Sequence, residues 1–124
     1  MQSLYEKHKI LSYPRTSSRY ISKDIEAKLP QLINSISELE EFKDIIADIQ
    51  SKKANIASRM VNDKKVTDHH AIIPTDKKPS VAALSENEKK VYHLVIRRFL
   101  AAFLDECEKH HTDITVRCAT HELK

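Results

Sequence analysis

A mainly α-helical domain with a few short strands is the fold class this sequence predicts, and three observations predict it. Apolar residues recur at three- and four-residue spacing through Ile25–Ile36, Phe42–Ile49 and Tyr92–Phe103, the mark of helices with one buried face. Ser85-Glu-Asn-Glu88 carries the capping-box pattern that opens a helix. Alternation of β-branched residues, the strand signal, appears mainly at the end, over Thr112–Thr120.

Taken in order, residues 1–9 read as the tail of a helix with Leu4, Tyr5 and His8 on one side. Ile10-Leu-Ser-Tyr13 is short, apolar and strand-like, and Pro14 stops it while pushing Tyr13 away from helical angles. Ser22 or Asp24 is positioned to cap a helix carrying Ile25, Leu29, Leu32, Ile33 and Ile36, which Pro30 kinks or restarts. A second helix is expected from Leu39 to about Ser51, with Phe42, Ile45, Ile46 and Ile49 at helical spacing. Residues 52–84 are polar and punctuated by Pro74 and Pro79, which predicts mostly loop with a short element around Ala71–Ile73. The most marked helix is expected from Glu86 to about Glu106. Tyr92, Val95, Ile96, Phe99, Leu100 and Phe103 form its stripe, and Arg97 and Arg98 fall largely on the other side. Residues 112–124 are expected to hold an outgoing strand that pairs beyond Lys124, in a neighbouring domain.

Composition narrows the function classes. At 124 residues the chain is one ordinary domain, expected to be a single unit over 1–124. With 40% hydrophobic residues it can bury a core, and no run approaches the ~18 apolar residues a membrane helix needs. The start, Met1-Gln-Ser-Leu-Tyr-Glu-Lys-His, lacks the apolar stretch of a signal peptide, so a cytoplasmic location is expected. The net charge of +3 is compatible with DNA phosphates without demanding them. Cys107 and Cys118 form no CxxC pair and read as reduced structural cysteines. There is no glycine, where average usage of about 7% would give roughly nine. Glycine-rich phosphate loops are therefore excluded, and with them an ATP-driven motor of that type.

Two short segments carry chemistry. In Leu11-Ser-Tyr13-Pro-Arg-Thr16 a phenol is followed two residues later by a guanidinium. The phenol can attack phosphorus, and the planar fork of Arg15 can hold the phosphate's non-bridging oxygens. A free phenol has a pKa of about 10, so something must stabilise the phenolate or take its proton. On spacing alone, a tyrosine before a proline is usually a packed turn residue. In Asp68-His-His-Ala-Ile-Ile-Pro-Thr75 the adjacent histidines can contact a phosphate, relay a proton or simply face solvent. No metal-ligand spacing accompanies them.

Together, Tyr13-Pro-Arg-Thr16 and Asp68-His-His-Ala-Ile-Ile-Pro-Thr75 resemble the type IA DNA topoisomerases, and the second motif is most similar to the topoisomerase III branch. Gln2-Ser-Leu-Tyr-Glu6 ahead of the tyrosine is similar as well, so the specific resemblance runs to about Thr75. It implies a helical catalytic-tyrosine domain with winged-helix-like elements, part of a larger multidomain enzyme of the bacterial nucleoid. That enzyme cleaves and reseals one DNA strand without ATP. Tyr13 matches the nucleophile that becomes joined to a 5′ phosphate. Arg15 matches the arginine that neutralises that phosphate, and His69 the histidine that helps activate cleavage. His70, Thr16, Arg19 and Thr75 are implied as DNA contacts. Where the family often has an aspartate after the threonine, Ser17 stands here. The implied partners are single-stranded DNA and the remaining domains, including a Toprim domain that holds Mg2+; no cofactor is expected on this domain, and no DxDxE motif occurs in it. The isolated chain is therefore expected to be inactive.

Two rivals compete. A stand-alone helical DNA-binding module of winged-helix type would explain Arg97 and Arg98 but makes both motifs accidental. A tyrosine recombinase needs several arginines and an HxxR element ahead of its tyrosine, and Tyr13 leaves no room for them.

Overall fold

The Ser85 capping box forms: the Ser85 N–H donates to Glu88 Oε2 at 2.8 Å, and the Glu88 N–H donates to Ser85 Oγ at 3.4 Å. Two of the free N–H groups at the helix start are thereby satisfied. The helix they open is α5, Glu86–Ala101, in a computed structural model that describes residues 1–51, 59–106, 108–118 and 121–123. Before it come α1 (Gln2–Glu6), α2 (Lys23–Glu26), α3 (Leu29–Ser35) and α4 (Lys43–Ser51), the last entered through a 3-10 turn at Glu40–Phe42. Further 3-10 turns lie at Asp63–Lys65 and Val81–Ala83. Strands β1 (Val116–Cys118) and β2 (His121–Leu123) follow α5. The chain is thus mainly helical with short strands.

The stripe on α5 packs as its spacing predicts. Tyr92, Ile96, Phe99 and Leu100 are buried, Val95 packs partly, and Arg97 and Arg98 are exposed. They share one hydrophobic cluster with Leu4 of α1, Leu29, Leu32 and Ile33 of α3, and Phe42, Ile46 and Ile49 at and within α4. Burying such a side chain contributes about 1.5–3 kcal/mol, so this cluster, rather than helix propensity, holds the short helices. Two histidine–glutamate pairs lie at its rim. His93 Nδ1 lies 3.0 Å from Glu41 Oε1, and the buried His8 Nε2, without a hydrogen-bond partner among the described residues, lies 3.4 Å from Glu88 Oε1. Burial pushes the Tyr92 phenol upward, and its hydroxyl has no hydrogen-bond partner among the described residues.

Pro30 restarts the helix, as expected: α2 ends at Glu26 and α3 begins at Leu29 with the proline in its first turn, where a missing N–H costs nothing. Ser22 occupies the N-cap position of α2, although its side chain makes no capping hydrogen bond.

Three expectations need correction. Helix α5 stops at Ala101 rather than near Glu106. The chain tightens there into i→i−3 bonds, Ala102 N–H to Phe99 O and Phe103 N–H to Leu100 O, which turn Phe103 into the core. The final strand begins at Val116, not Thr112, and one of its edges pairs antiparallel with β2, Val116 opposite Leu123. The segment Ile10–Tyr13 forms a single antiparallel bridge, Leu11 to Pro74, instead of a strand. Proline lacks the N–H that would extend a ladder, and it is tolerated because the flanking residues make the bonds. Within the 52–84 stretch, 52–58 lies outside the described residues, as do Cys107 and the Cys118 side chain.

Two measurements follow from this packing. Phe99, 4% exposed and edge-on to Phe103 at 4.9 Å, fills the core, so Phe99→Ala is expected to lower unfolding free energy in urea by about 3–5 kcal/mol. A loss below about 1 kcal/mol would mean that the face is not buried. Glu88 is held at about 2, below its ordinary 4.5, by the Ser3 hydroxyl first, then by the Ser85 N–H and hydroxyl, with His8 adding to them. Its folded value is depressed, so its contribution is complete above about 4.5 and is lost as pH falls toward about 2. Denaturant midpoints should therefore fall less steeply across that window in Glu88→Gln than in the parent chain; parallel curves would contradict the assignment.

Candidate functional site

Two separate chain segments are laced together around the Leu11–Pro74 bridge. The Ser12 N–H donates to Ile73 O at 2.9 Å and the Thr75 N–H to Ile10 O at 3.1 Å. The Ser12 hydroxyl adds a second layer, donating to Ala71 O at 3.3 Å and accepting from the Ile73 N–H at 3.0 Å. The Ala71 N–H reaches Tyr20 O at 2.8 Å, so the segment 69–75 runs against residues 9–21 at several points. From α3, the buried Ser35 hydroxyl contacts Thr75 O and Leu32 O, each at 2.8 Å.

This lacing brings Tyr13 and His69 together. Their ring centroids lie 4.3 Å apart at 41°, and Tyr5 from α1 meets Tyr13 edge-on at 5.4 Å. Tyr13 is half-buried and His69 exposed, so the phenol is walled by aromatic rings while the site stays open to solvent. Arg15 is exposed and makes no hydrogen bond or ion pair among the described residues, which leaves its fork available to an anion. Ser17, the serine that follows Thr16, is exposed.

The remaining residues singled out from sequence fall into two groups. Thr16 Oγ1 donates to His69 O at 3.0 Å and accepts from the Ser18 N–H at 3.1 Å. Thr75 Oγ1 donates to Lys9 O at 2.7 Å and accepts from the Lys77 N–H at 3.3 Å. A hydroxyl has one proton, and both threonines already use it within the protein, so they act here as fasteners of the loops around Tyr13. His70 and Arg19 are different. His70 Nδ1 lies 2.7 Å from Ala71 O; a carbonyl only accepts, so Nδ1 carries the proton and Nε2 is the free position. His70 also lines a cleft of about 200 Å³ with Ser12, Lys28 and Gln31. Arg19 is exposed and lines a second groove.

Three contributors escape a reading of the sequence. Ser12 and Ser35 are single serines in apolar stretches, and nothing in their spacing announces a cross-segment bond. Tyr5 is visible only as a residue on the α1 face that also carries Leu4. Among the described residues no group of three His, Cys, Asp or Glu is placed to hold a metal ion, and no helix is long and apolar enough to cross a membrane.

Comparison with known proteins gives the family. The family model described as DNA topoisomerase matches residues 1–124. The chain is 43% identical over 115 residues to a DNA topoisomerase 3 of Shouchella clausii, covering 92% of this chain and 16% of that protein. It is 41% identical over 117 residues to a DNA topoisomerase 3 of Bacillus thuringiensis, covering 94% and 16%. A DNA topoisomerase 3 of Bacillus licheniformis is 40% identical over 114 residues, covering 92% and 16%. The chain therefore spans about 16% of the length of these bacterial relatives. With its whole length matched and both motifs joined in one site, the chain belongs to the DNA topoisomerase family, and its relatives are of the topoisomerase 3 branch.

Proposed function

We propose that this chain is the catalytic-tyrosine domain of a type IA DNA topoisomerase, which cleaves and reseals one DNA strand through a 5′-phosphotyrosine intermediate. The observation that carries this reading is the Tyr13–His69 contact, two residues from an unpaired Arg15. The β1–β2 ribbon after α5 would be the wing-like element of such a domain.

In the proposed step Tyr13 Oη attacks the phosphorus of a single strand and gives up its proton. A P–O bond to Tyr13 forms as the P–O3′ bond breaks, and the leaving oxygen takes a proton to become a 3′ hydroxyl. The phosphodiester is exchanged for a phosphotyrosine ester, so the 3′ hydroxyl can reverse the reaction without ATP. Arg15 would hold the non-bridging oxygens with its bidentate fork as charge develops there. His69, against the Tyr13 ring, would assist cleavage through its ring nitrogens and contact the DNA. His70 would hold the strand beside the reacting phosphate, Arg19 would contact it farther along, and Thr16 and Thr75 would act on it through the loops they fasten.

The described residues do not fit a magnesium site, so no part of this step is assigned to one here. We place Mg2+ in a Toprim domain elsewhere in the parent protein, which we assign to the bacterial cytoplasm, associated with the nucleoid. Single-stranded DNA and the parent's other domains are the proposed partners. The isolated chain is expected to leave supercoiled DNA unrelaxed, with or without magnesium.

The test is covalent adduct formation on a labelled single-stranded oligonucleotide by the parent protein. Tyr13→Phe removes the attacking oxygen and keeps the ring contacts, so adduct should vanish while affinity stays within a few-fold. Arg15→Lys keeps charge but loses the fork, so cleavage should fall more than binding. His69→Ala should slow cleavage by about 10²–10⁴-fold, the usual contribution of a group assisting proton transfer. Adduct that survives Tyr13→Phe would place the nucleophile elsewhere.

A further inference from the structure

Beside the site lies a groove of about 390 Å³ whose rim carries three arginines, Arg19, Arg59 and Arg98. Its walls continue the two motif segments: Arg19-Tyr20-Ile21 follows the Tyr13 segment, and Ala71-Ile72-Ile73 follows His69 and His70. The lining mixes polar and apolar surface, with Met60 and Ala102 half-buried.

The charge balance at this rim is uneven. Arg59 is already engaged, donating to Leu104 O at 2.9 Å and to Glu106 at 3.5 Å. Arg19 and Arg98 are exposed and make no hydrogen bond or ion pair among the described residues. On α5 no acidic residue stands three or four positions from Arg98 in either direction, and Arg19 is preceded by Ser17 and Ser18. Two guanidinium groups lining one groove together with apolar residues such as Met60, Phe99 and Ala102 suit a ligand with repeated anionic groups and flat apolar parts between them. Single-stranded nucleic acid has that chemistry: phosphates for the forks, and bases that lie on apolar surface.

We propose that this groove is a second phosphate-binding site, in which Arg19 and Arg98 hold backbone phosphates of the single strand beyond the nucleotides at Tyr13. The proposal rests on the DNA-cleaving function above and adds Arg98, Arg59 and the path of the strand to it. Arg98 contributes a binding contact, and Arg59 chiefly shapes the rim through its bond to Leu104.

The test is fluorescence anisotropy of the 124-residue chain with a labelled oligothymidylate, measured across a salt series. A phosphate contact on a single strand contributes about 0.7 to the slope of log affinity against log salt, so Arg98→Gln should lower the slope by about 0.7 and Arg19→Gln/Arg98→Gln by about 1.4. Lys43→Gln, whose ammonium is paired with Glu40 and which is not among the groove's lining residues, should leave the slope in place. Unchanged thermal midpoints confirm that the exposed substitutions leave the fold intact. If Arg15→Gln lowers the slope and the Arg19/Arg98 pair does not, the groove is overturned while the DNA site at Tyr13 stands. If Lys43→Gln lowers it equally, diffuse charge alone is responsible and the groove is overturned. If the pair weakens binding of a labelled decaglutamate peptide but not of the oligothymidylate, the occupant is an acidic segment and the nucleic-acid proposal fails. Absence of any salt-dependent oligothymidylate binding overturns both the groove and the DNA-contacting role of the chain.

Discussion

Everything at the site depends on the hydrogen bonding that closes residues 9–21 against residues 69–75. A phenol and an imidazole separated by more than fifty positions in sequence, Tyr13 and His69, meet only because Ile10, Ser12 and Tyr20 trade backbone bonds with Thr75, Ile73 and Ala71. Each such bond is worth about 0.5–1.5 kcal/mol net, too little to hold two loops alone, yet several acting together over a packed floor are sufficient. That floor is supplied by Leu11, Ile73 and Pro74, all buried, and by the helices beneath them. The hydrophobic cluster thus fixes the loops, and the loops fix the ring contact on which the chemistry is proposed to run.

The absence of glycine makes this arrangement more demanding. The turn out of α1 needs a left-handed residue, and Lys9 fills it with φ of 57°, where a side chain beyond Cα is disfavoured. Surrounding bonds hold it there: Lys9 O accepts the Thr75 hydroxyl, and the following N–H, that of Ile10, reaches back to Leu4 O at 3.0 Å. Serine and threonine hydroxyls take over loop fastening elsewhere, at Ser12, Thr16, Ser18 and Ser35.

Local signals were legible in the sequence and pairing was not. The Ser85 capping box and the restart at Pro30 depend on residues within one turn of each other, so the sequence spells them out. The α5 stripe was equally legible, but its end was not: Phe103 continues the apolar spacing even though the backbone has tightened out of the helix by then. Ile10–Tyr13 reads as a strand, yet nothing in its alternation says that its partner is Pro74 or that proline limits the pairing to one bridge. At the site, the motif residues could be named, but that Tyr13 touches His69 came from no spacing rule. Thr16 and Thr75 looked like DNA contacts because they sit in the motifs; only the fold reveals that their protons are already committed.

The most direct measurement of the central claim is the proton–proton Overhauser effect between the Tyr13 and His69 side chains in the 124-residue chain in solution, recorded alongside Ser12→Ala. If the lacing creates the site, ring-to-ring cross-peaks appear in the parent chain and weaken in Ser12→Ala, while the Phe99–Phe103 cross-peaks of the core persist. Absent Tyr13–His69 cross-peaks in a chain whose Phe99–Phe103 contact is intact would contradict the account, because the core would then be formed without bringing the two motifs together.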